Sequence, residues 1–482
     1  MRVSSLADLR ARGELRWFEP ALERIAALRA DPDPARSSYL DLTRPLLIGR
    51  APGRLDLMGG IADYSGADVL ELPLACSTWA ALQAREGSGA QILTRRAGRW
   101  DSFECELASL KTSAGLLAGR FSATDRWAAY PVGVLYRCLC LAPHAETGFR
   151  LLLDSTVPEG KGVASSAALE VAALSVLAAH FGVELSPEQL ALECQWAENH
   201  VVRAPCGLMD QMTSVLGRQN RLLALRCQPG GAVSHLAVPA GYRCYGIDSG
   251  IRHAVSGADY GTVRTAAFMG YGMIAAAAGL SGTVTGGQLR IHDPRWNGFL
   301  CNLTPEEFGE FESELPTTVS GADFLKQYGG ITDPVTRVDP ALSYPVRAAT
   351  SHPIQEQQRV RRFAELLGTL PREASNAREL GELMYASHRS YSACGLGSDG
   401  TDRLVELVAE AGPERGLFGA KITGGGSGGT VAIFGREAAE PLVHDLASRY
   451  TAESGHGGTV FAESGPGAAE TGLLSLAAGE LQ

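Results

Sequence analysis

The chain has 482 residues, of which 45% are hydrophobic and 20% charged, and its formal net charge is −10 at pH 7. This length can bury a large core and is typical of a protein with two domains. The negative charge argues against a general affinity for nucleic acid or for an anionic membrane surface. An anionic substrate must therefore be bound by a local site, because the overall field of the protein repels it.

The ten cysteines show neither Cys-x-x-Cys spacing nor a dense framework, and several lie in apolar runs such as 134–141. We expect reduced, buried cysteines in a cytoplasmic protein. The first 28 residues mix charges of both signs with apolar residues at helical spacing, which does not resemble a signal peptide. The longest uncharged, largely apolar run, 266–280, has 15 residues. It is too short to span a bilayer and predicts a core helix.

In chain order, the first predicted element is an amphipathic helix over 17–30, which ends at the turn Asp31-Pro-Asp-Pro34. From Leu46 onward, short apolar runs separated by glycine and proline predict strands and loops. A strand over 149–154 leads into the glycine-rich segment Pro158-Glu-Gly-Lys-Gly-Val-Ala-Ser-Ser-Ala-Ala168. A nearly all-apolar helix over 166–181 is expected to follow.

This glycine-rich segment predicts a phosphate-binding loop, although a flexible turn between a strand and a helix is an alternative. Glycines let the backbone approach an anion, and the helix N-terminus presents unpaired N–H groups and the positive end of its dipole. Ser165 is predicted to cap the helix, and Gly182 to end it. Ser166, together with a carboxylate such as Glu198, would suffice to bind a Mg²⁺ ion held on a triphosphate.

Two carboxylates, Glu198 and Asp210, have both a functional and a structural interpretation. A capping box at Ser186-Pro-Glu-Gln189 starts a helix to about Val201, and Glu198 lies at the edge of its apolar stripe, either solvated or facing a cleft. Asp210, in apolar surroundings, is either the N-cap of a short helix or the group that accepts a proton from a substrate hydroxyl. In the functional interpretation, Arg54 neutralises charge on Asp210 or on a transferred phosphoryl group; otherwise it is a surface residue.

The second half of the chain is expected to begin near Tyr242 and to run through a loop-rich region, 281–350, to helices near 354–368 and 376–388. The segment Gly424-Gly-Gly-Ser-Gly-Gly429 matches GxGxxG, but a β-rich segment follows it where a dinucleotide-binding fold needs a helix. It predicts instead a tight turn between two strands. The scattered histidines give no zinc-site spacing, and no serine-hydrolase motif occurs in a strand–turn–helix context.

Taken together, the glycine-rich segments 49–60, 158–168 and 424–429 resemble, in this order, the three motifs of the GHMP small-molecule kinases. The galactokinase branch is indicated by a set of shorter matches: Ala51-Pro-Gly-Arg54 with Asp63-Tyr64, Arg126-Trp-Ala-Ala-Tyr130, Cys206-Gly-Leu-Met-Asp-Gln211, and Arg252-His253 with Asp259-Tyr260. Closer still, residues 53–66 and 246–253 resemble the kinase region of the plant L-arabinokinases.

The resemblance implies an α/β (α+β) protein that binds ATP between two domains. The first, 1–240, is ribosomal-S5-like and carries a helical extension over 1–40, and the second, 241–482, is ferredoxin-like. Arg54 and Asp210 match the catalytic pair of the family, and Ser166 and Glu198 match its magnesium ligands. The ATP-binding positions correspond to Trp127, Tyr130, Pro158, Gly160, Lys161, Gly162, Ala164, Ser165, Ser166 and Ala167. The sugar-binding positions correspond to Gly60, Ile61, Asp63, Gly207 and Tyr260.

One departure from the family pattern concerns the sugar. Galactokinases carry Glu-His where this chain has Gly60-Ile61, and their glutamate reaches the C6 hydroxyl. L-Arabinopyranose is D-galactopyranose without its CH₂OH group, so a site without that glutamate suits arabinose. A buried, unpaired C6 hydroxyl would cost about 1–3 kcal/mol, or roughly 5–150-fold in selectivity. We expect an ATP-dependent kinase that converts L-arabinose to L-arabinose 1-phosphate; a galactokinase, a galacturonokinase or a sugar- and ATP-binding sensor without turnover are the alternatives.

Overall fold

The computed structural model describes residues 1–96, 98–251, 258–370 and 372–480. Its strands are β1 (Val3–Ser5), β2 (Leu46–Met58), β3 (Asp68–Ala84), β4 (Gly89–Arg96), β5 (Arg99–Glu106), β6 (Phe149–Ser155), β7 (Arg221–Arg226), β8 (Val233–Ala237), β9 (Tyr242–Asp248), β10 (Gly282–Thr285), β11 (Gln288–Ile291), β12 (Val319–Ser320), β13 (Ser343–Tyr344), β14 (Leu417–Ile422), β15 (Thr430–Arg436), β16 (Val460–Phe461) and β17 (Leu473–Leu476).

The helices alternate with these strands along the chain. They are α1 (Leu6–Arg12), α2 (Glu19–Arg29), α3 (Pro34–Ser37), α4 (Ala114–Ala118), α5 (Ala129–Leu141), α6 (Ser165–Phe181), α7 (Pro187–Ala197), α8 (Met209–Leu216), α9 (Ala258–Ala277), α10 (Pro305–Phe311), α11 (Gly321–Tyr328), α12 (Val346–Thr369), α13 (Asn376–Ala393), α14 (Asp399–Ala411), α15 (Glu440–Ser454) and α16 (Ala468–Thr471). In the described part of the chain, none of these helices has both the length and the apolar composition needed to cross a membrane.

The first sheet has the strand order β1-β17-β2-β3-β6-β4-β5, with β7 added to β3 and β8 to β7. Around β3, both faces of the sheet are buried. Ala80 and Leu82 of β3 pack into the core that contains α5 and α6, whereas the alternate residues Trp79 and Ala81 face α1 and α2. Residues 1–40 contain α1, α2 and α3, and side chains of α1 and α2 cover the second face of this sheet.

The last strand, β17, also lies in this first sheet, antiparallel to β2 and parallel to β1. The chain thus returns to the first sheet after it has built the second one. The proposed boundary between residues 240 and 241 remains a prediction, and residues 473–476 pair with strands that come before it.

The second sheet is antiparallel, with the order β14-β15-β9-β16. In chain order, β9 is followed by helices, then β14 and β15, then α15 and β16, which is the ferredoxin-like β-α-β-β-α-β arrangement. Helices α14 and α15 cover one face, and α12 and α13 cover the other. The core under α12 and α13 also includes Leu55 and Leu57 of β2, so the two sheets share one apolar core. The predicted mixed α/β fold class is confirmed.

Several predicted elements are confirmed. The capping box at Ser186 starts α7, α6 ends at Gly182 with φ 68, and the third glycine-rich segment joins β14 to β15 as a turn between strands. The apolar run over 266–280 lies largely in the buried helix α9. Helix α12 begins at Val346, earlier than the predicted start near 354, and it continues through Pro353.

The predicted helix cap at Ser165 is wrong, and so is the N-cap alternative for Asp210. Ala164, in the left-handed region with φ 58, precedes α6 and leaves it without a side-chain cap, so Ser165 is its first helical residue and not its N-cap. Asp210 is not the N-cap of α8 either, because Leu208 occupies that position and the helix starts at Met209. In both places, the tertiary structure determines the backbone entering the helix, and the local capping preference does not.

Candidate functional site

The loop before α6 has an unusual backbone. Gly160, Gly162 and Ala164 have φ of 69, 70 and 58, so left-handed residues occur at every second position. Alternation of this kind turns successive backbone N–H groups toward one side and forms a concavity suited to an anion. Because no side chain caps α6, the N–H groups of its first turn also remain available to a ligand. The predicted phosphate-binding segment therefore has a geometry that fits the phosphates of ATP.

The third glycine-rich segment packs directly on this loop. A Cβ on Gly162 would lie 3.0 Å from the carbonyl oxygen of Thr423, and a Cβ on Gly429 would lie 2.8 Å from that of Lys161. The Thr430 hydroxyl donates to the Lys161 carbonyl at 2.8 Å, and Lys161 Nζ pairs with Asp248 Oδ2 at 3.0 Å. Glycine is needed here for close backbone approach, and the second sheet holds the loop through these contacts.

The predicted catalytic pair is in direct contact. Arg54, on β2, donates from Nη2 and Nε to Asp210 Oδ1 at 2.7 and 3.0 Å, and from Nη1 to the carbonyl of Gly162 at 2.7 Å. The Arg54 side chain is only 3% exposed, whereas that of Asp210, in the first turn of α8, is 21% exposed. The arginine thus links the carboxylate to the phosphate-binding loop, and the carboxylate keeps one side open.

Arg54 has a second acidic neighbour that the sequence analysis missed. Glu71 Oε2, on β3, lies 3.2 Å from Arg54 Nε, and the glutamate side chain is fully buried. Burial and the charge of Asp56 raise the pKa of Glu71 well above its usual range, which favours the neutral acid. Burial by itself lowers the pKa of Arg54, but the acidic residues around it, Asp210 first among them, outweigh burial, and the net shift is upward. Arg54 therefore stays charged.

A buried ion pair that the sequence analysis also missed lies behind this arginine. Lys421 Nζ, on β14, contacts Asp56 Oδ2, on β2, at 2.9 Å, and both side chains have no exposed area. The Tyr391 hydroxyl oxygen lies 3.2 Å from the same carboxylate oxygen and 3.0 Å from the carbonyl of Gly424. In the sequence, the only indication of this pair was a charged residue, Lys421, within an apolar strand. This cluster ties β2 to the second sheet and to the third glycine-rich turn.

The two predicted magnesium ligands lie together beside the phosphate-binding loop. Glu198, 6% exposed, begins a π-helical turn after α7, and the Ser166 hydroxyl lies near enough to lower the pKa of its carboxyl. Gln211 Nε2 donates to Glu198 Oε2 at 2.6 Å and to Glu170 Oε2 at 3.2 Å. Burial, followed by the charge of Asp210, raises the pKa of Glu198 to about 7. A hydroxyl and a carboxylate are hard oxygen donors, which fits a Mg²⁺ ion that takes its other ligands from phosphate and water.

Three of the predicted sugar-binding residues converge next to Asp210. Asp63 is 3% exposed, and a Cβ on Gly207 would overlap its Oδ2. The rings of Tyr260 and Tyr64 meet edge to face at 5.9 Å, and burial and the charge of Asp63 raise the pKa of Tyr260. Burial and the charge of Asp210 raise the pKa of Asp63 to about 6, against the lowering effect of Arg264. The carboxylates of Asp63 and Asp210 are thus close enough to influence each other.

Gly60 and Ile61 lie in a constrained turn after β2. A Cβ on Gly60 would overlap the Tyr391 hydroxyl and Asp56 Oδ2, so no other residue fits at this position without a rearrangement. Ile61 has φ 50, which is rare for a β-branched residue, and its side chain is 1% exposed. It packs in an apolar cluster with Tyr64 and Tyr391. The expected contact of Ile61 with a sugar stays a prediction.

The remaining predicted positions are less clearly connected to the site. Tyr130 lies near Glu198 and Glu170, whose charges, after burial, raise its pKa. Trp127 is 8% exposed and packs in the core that contains α5 and α6. Their role in binding adenine stays a prediction, as do the contacts of Pro158 and Ala167 with ATP. Arg252, His253 and the side chain of Asp259, part of the resemblance, lie outside the described residues.

Comparison with known proteins agrees with this arrangement. Residues 130–218 match the GHMP kinases N terminal domain, and residues 364–452 match the GHMP kinases C terminal domain. The L-arabinokinase of Arabidopsis thaliana is 40% identical over 486 aligned positions, which cover 89% of this chain and 47% of that protein. The chain therefore spans about half the length of this relative. The galactokinase of Chloroflexus aggregans is 28% identical, over 85% of this chain and 90% of its own.

Solved structures show the same fold. The Lactococcus lactis galactokinase in complex with galactose superposes with a TM-score of 0.69 at 18% identity, covering 93% of this chain and 98% of its own. An L. major mevalonate kinase in complex with R-mevalonate gives a TM-score of 0.50 at 14% identity, covering 87% and 96%. Residues 130–218 and 364–452 therefore carry the N-terminal and C-terminal domains of the GHMP kinases.

Proposed function

We propose that this protein is a sugar kinase that transfers the γ-phosphoryl group of ATP to the C1 hydroxyl of L-arabinose. The observation that carries the proposal is the contact between Arg54 and Asp210, which lies between the phosphate-binding loop and Asp63. Phosphoryl transfer needs little covalent chemistry from the protein, so a site that positions both substrates and stabilises charge is what the reaction requires.

In this proposal, Asp210 orients the C1 hydroxyl and accepts its proton as the oxygen attacks the γ-phosphorus and the bond to ADP breaks. The positive charge of Arg54 stabilises the negative charge that develops on the transferred phosphoryl group. The hydrogen bond from Arg54 to the Gly162 carbonyl keeps the guanidinium group next to the phosphate-binding loop. Mg²⁺ bound by Ser166 and Glu198 would supply further positive charge to the phosphates. Asp63, Gly207 and Tyr260 would hold the sugar ring.

The preference for a pentose is supported by residue 60. Tyr391 and Asp56 occupy the space into which a side chain at position 60 would extend, so this chain cannot present a glutamate there. D-Galactose would bring a C6 hydroxyl toward a position without a matching polar partner, at a cost of about 1–3 kcal/mol. L-Arabinose has no such group. The name of the Arabidopsis relative, L-arabinokinase, agrees with this choice.

The competing proposal, a galactokinase, rests on the galactokinase of Chloroflexus aggregans, which spans nearly the same region. Coupled-assay rates on L-arabinose, D-galactose and D-galacturonate separate the candidates. We expect the highest kcat/KM on L-arabinose. A tenfold preference for D-galactose would overturn the sugar assignment, and ATP and sugar binding without any turnover would identify a sensor instead. The ten free cysteines fit a cytoplasmic location, which we propose as part of this function.

A further inference from the structure

Arg264 is a buried arginine that the mechanism above does not use. It lies on α9 and is 5% exposed. Its Nε and Nη2 donate to Asp333 Oδ2 and Oδ1 at 2.8 and 2.9 Å, which is a two-point ion pair. Its remaining nitrogen, Nη1, donates to the backbone carbonyl of Cys206 at 2.9 Å. All three nitrogens of the Arg264 guanidinium group therefore donate hydrogen bonds, two of them to Asp333 and one to Cys206.

Asp333 is itself held in place. It lies in the loop-rich region over 281–350, for which the sequence suggested no role, and its side chain is fully buried. Besides Arg264, it accepts from the hydroxyl of Thr336 at 2.6 Å and from the backbone N–H of Val335 at 3.1 Å. Burial raises its pKa, but the hydrogen bonds and charge of Arg264 outweigh burial and lower the pKa. Asp333 is thus an ionised, fixed anchor for the arginine.

The backbone that Arg264 holds belongs to the sugar-binding side of the site. The Asn199 side chain also hydrogen-bonds to the backbone of Cys206: it accepts from the N–H at 2.9 Å and donates to the carbonyl at 3.3 Å. The next residue, Gly207, lies against Asp63. The Arg264 guanidinium group also lies 5.5 Å from the ring centre of Tyr64, the neighbour of Asp63. Arg264 therefore contacts both chain segments that meet at Asp63 and Gly207.

We propose that Arg264 and Asp333 are positioning residues for sugar binding, through which the 281–350 region sets the distance between Gly207 and Asp63. The inference rests on the proposed function for the identity of the ligand, a sugar. Neither residue is placed to touch ATP: their contacts lead to Cys206 and Tyr64 and not to the phosphate-binding loop. Loss of the pair should therefore weaken sugar binding selectively.

The test uses Asp333→Asn and Arg264→Lys in the full chain. Asparagine cannot accept two charge-assisted hydrogen bonds, and lysine cannot contact two carboxylate oxygens and the Cys206 carbonyl in the same geometry. We expect KM for the sugar to rise by roughly tenfold to 100-fold, because a sugar hydroxyl that no longer meets its partner loses a hydrogen bond. KM for ATP should stay close to its wild-type value. Thr336→Val, which removes one hydrogen bond to Asp333, is a milder variant should the others fail to fold.

The matched control is Arg362→Gln, which breaks the exposed ion pair with Glu379 and should leave both KM values unchanged. A sugar KM at the wild-type level in all three variants, or equal rises in both KM values, would overturn the positioning role. Amide hydrogen exchange of peptides covering 203–210, without any substrate, gives an independent readout. We expect faster exchange in Asp333→Asn than in wild type and control, and unchanged exchange would contradict the proposal. A wild-type protein that phosphorylates no sugar would contradict the proposed function, and this exchange result would still decide the structural role.

Discussion

The carboxylate of Asp63 lies directly against the backbone of Gly207, in the space that a side chain on residue 207 would occupy. Asp63 lies in a short turn between β2 and β3, whereas Gly207 lies in the loop before α8. The Asp63 carboxylate also accepts from the backbone N–H of Tyr64 at 2.9 Å. Two segments far apart in the sequence are therefore joined at a point where only glycine fits.

Gly207→Ala should impair sugar binding. The new methyl group would displace the Asp63 carboxylate, and we expect KM for the sugar to rise by about tenfold to 100-fold while KM for ATP stays unchanged. Steady-state kinetics with each substrate varied in turn give the two constants. Gly368→Ala, on α12, is the control, because nothing lies within 4 Å of a Cβ placed there. A wild-type sugar KM in Gly207→Ala would show that this contact does not shape the site.

The buried carboxylate of Asp63 should lower the free energy of unfolding at alkaline pH, where the group is ionised. The pKa of Asp63 is about 6 in the folded protein and 3.8 in the reference state, so the folded state binds its proton more tightly. Its contribution to stability is thus fully present below pH 3.8 and is lost as pH rises through 6. At pH 8, the ionised group costs up to about 3 kcal/mol, and at pH 5 about half of that.

Asp63→Asn should therefore raise the free energy of unfolding, and more at pH 8 than at pH 5, while sugar binding is lost. The asparagine keeps an oxygen that can accept from the N–H of Tyr64, as Asp63 does at 2.9 Å. Urea unfolding at pH 5 and pH 8 measures the gain in the free energy of unfolding at each pH. Asp210 and Arg264, the charged neighbours of Asp63, remain unchanged in this variant. Equal gains at both pH values would contradict the assigned direction of the pKa shift.

The variant Asp210→Asn tests the proposed role of Asp210 in catalysis. Asp210→Asn retains a hydrogen-bond acceptor for Arg54 but removes the group that takes the proton, so we expect turnover to fall by at least ~10² with ATP binding preserved. Single-turnover kinetics and calorimetry with a non-hydrolysable ATP analogue measure the two quantities separately. Glu71 gives the comparison, since it also contacts Arg54 but is fully buried; Glu71→Gln should affect turnover less. Undiminished turnover in Asp210→Asn would remove this residue from its role.

Motif resemblance was enough to predict that Arg54 and Asp210 act together, and the glycines at 160 and 162 do take the left-handed backbone that a phosphate-binding loop needs. The partners of the buried charges could not be predicted in this way. Asp56 and Lys421 are 365 positions apart, and a single charged residue in an apolar strand indicates burial but not its partner. The Ser165 cap failed for a related reason, because the loop conformation at Ala164 overrides the local preference.

The ion pair between Lys421 and Asp56 should be essential for stability. Lys421→Met leaves a carboxylate buried without its cation, which costs about 3–5 kcal/mol. The double variant Lys421→Met with Asp56→Asn should lose less than the sum of the two single changes, because it no longer buries an unpaired charge. Urea unfolding of the full cycle measures the coupling. Arg362→Met, at an exposed pair, should change the free energy of unfolding by less than about 1 kcal/mol. Additive losses across the buried pair would exclude this coupling.

Residue 60 and Tyr391 should together determine the choice of sugar. Gly60→Glu alone forces a side chain into the Tyr391 hydroxyl and toward the carboxylate of Asp56, so we expect lost stability and low activity on both sugars. Adding Tyr391→Leu removes the ring and hydroxyl, while Asp56 keeps its ion pair with Lys421. The double variant should regain only part of the lost stability, because the Asp56 carboxylate must still move to admit the new Cβ, and it should shift the ratio of kcat/KM toward D-galactose by about tenfold or more.

The control for this pair is Tyr391→Leu alone, which opens the space without supplying a polar group. It should still prefer L-arabinose, because a C6 hydroxyl entering an apolar cavity gains no hydrogen bond to replace those it had with water. The measurement is kcat/KM on both sugars for the wild type and three variants, with thermal unfolding to confirm that each is folded. A folded double variant whose sugar preference equals that of the wild type would show that position 60 does not face the C6 side of the sugar.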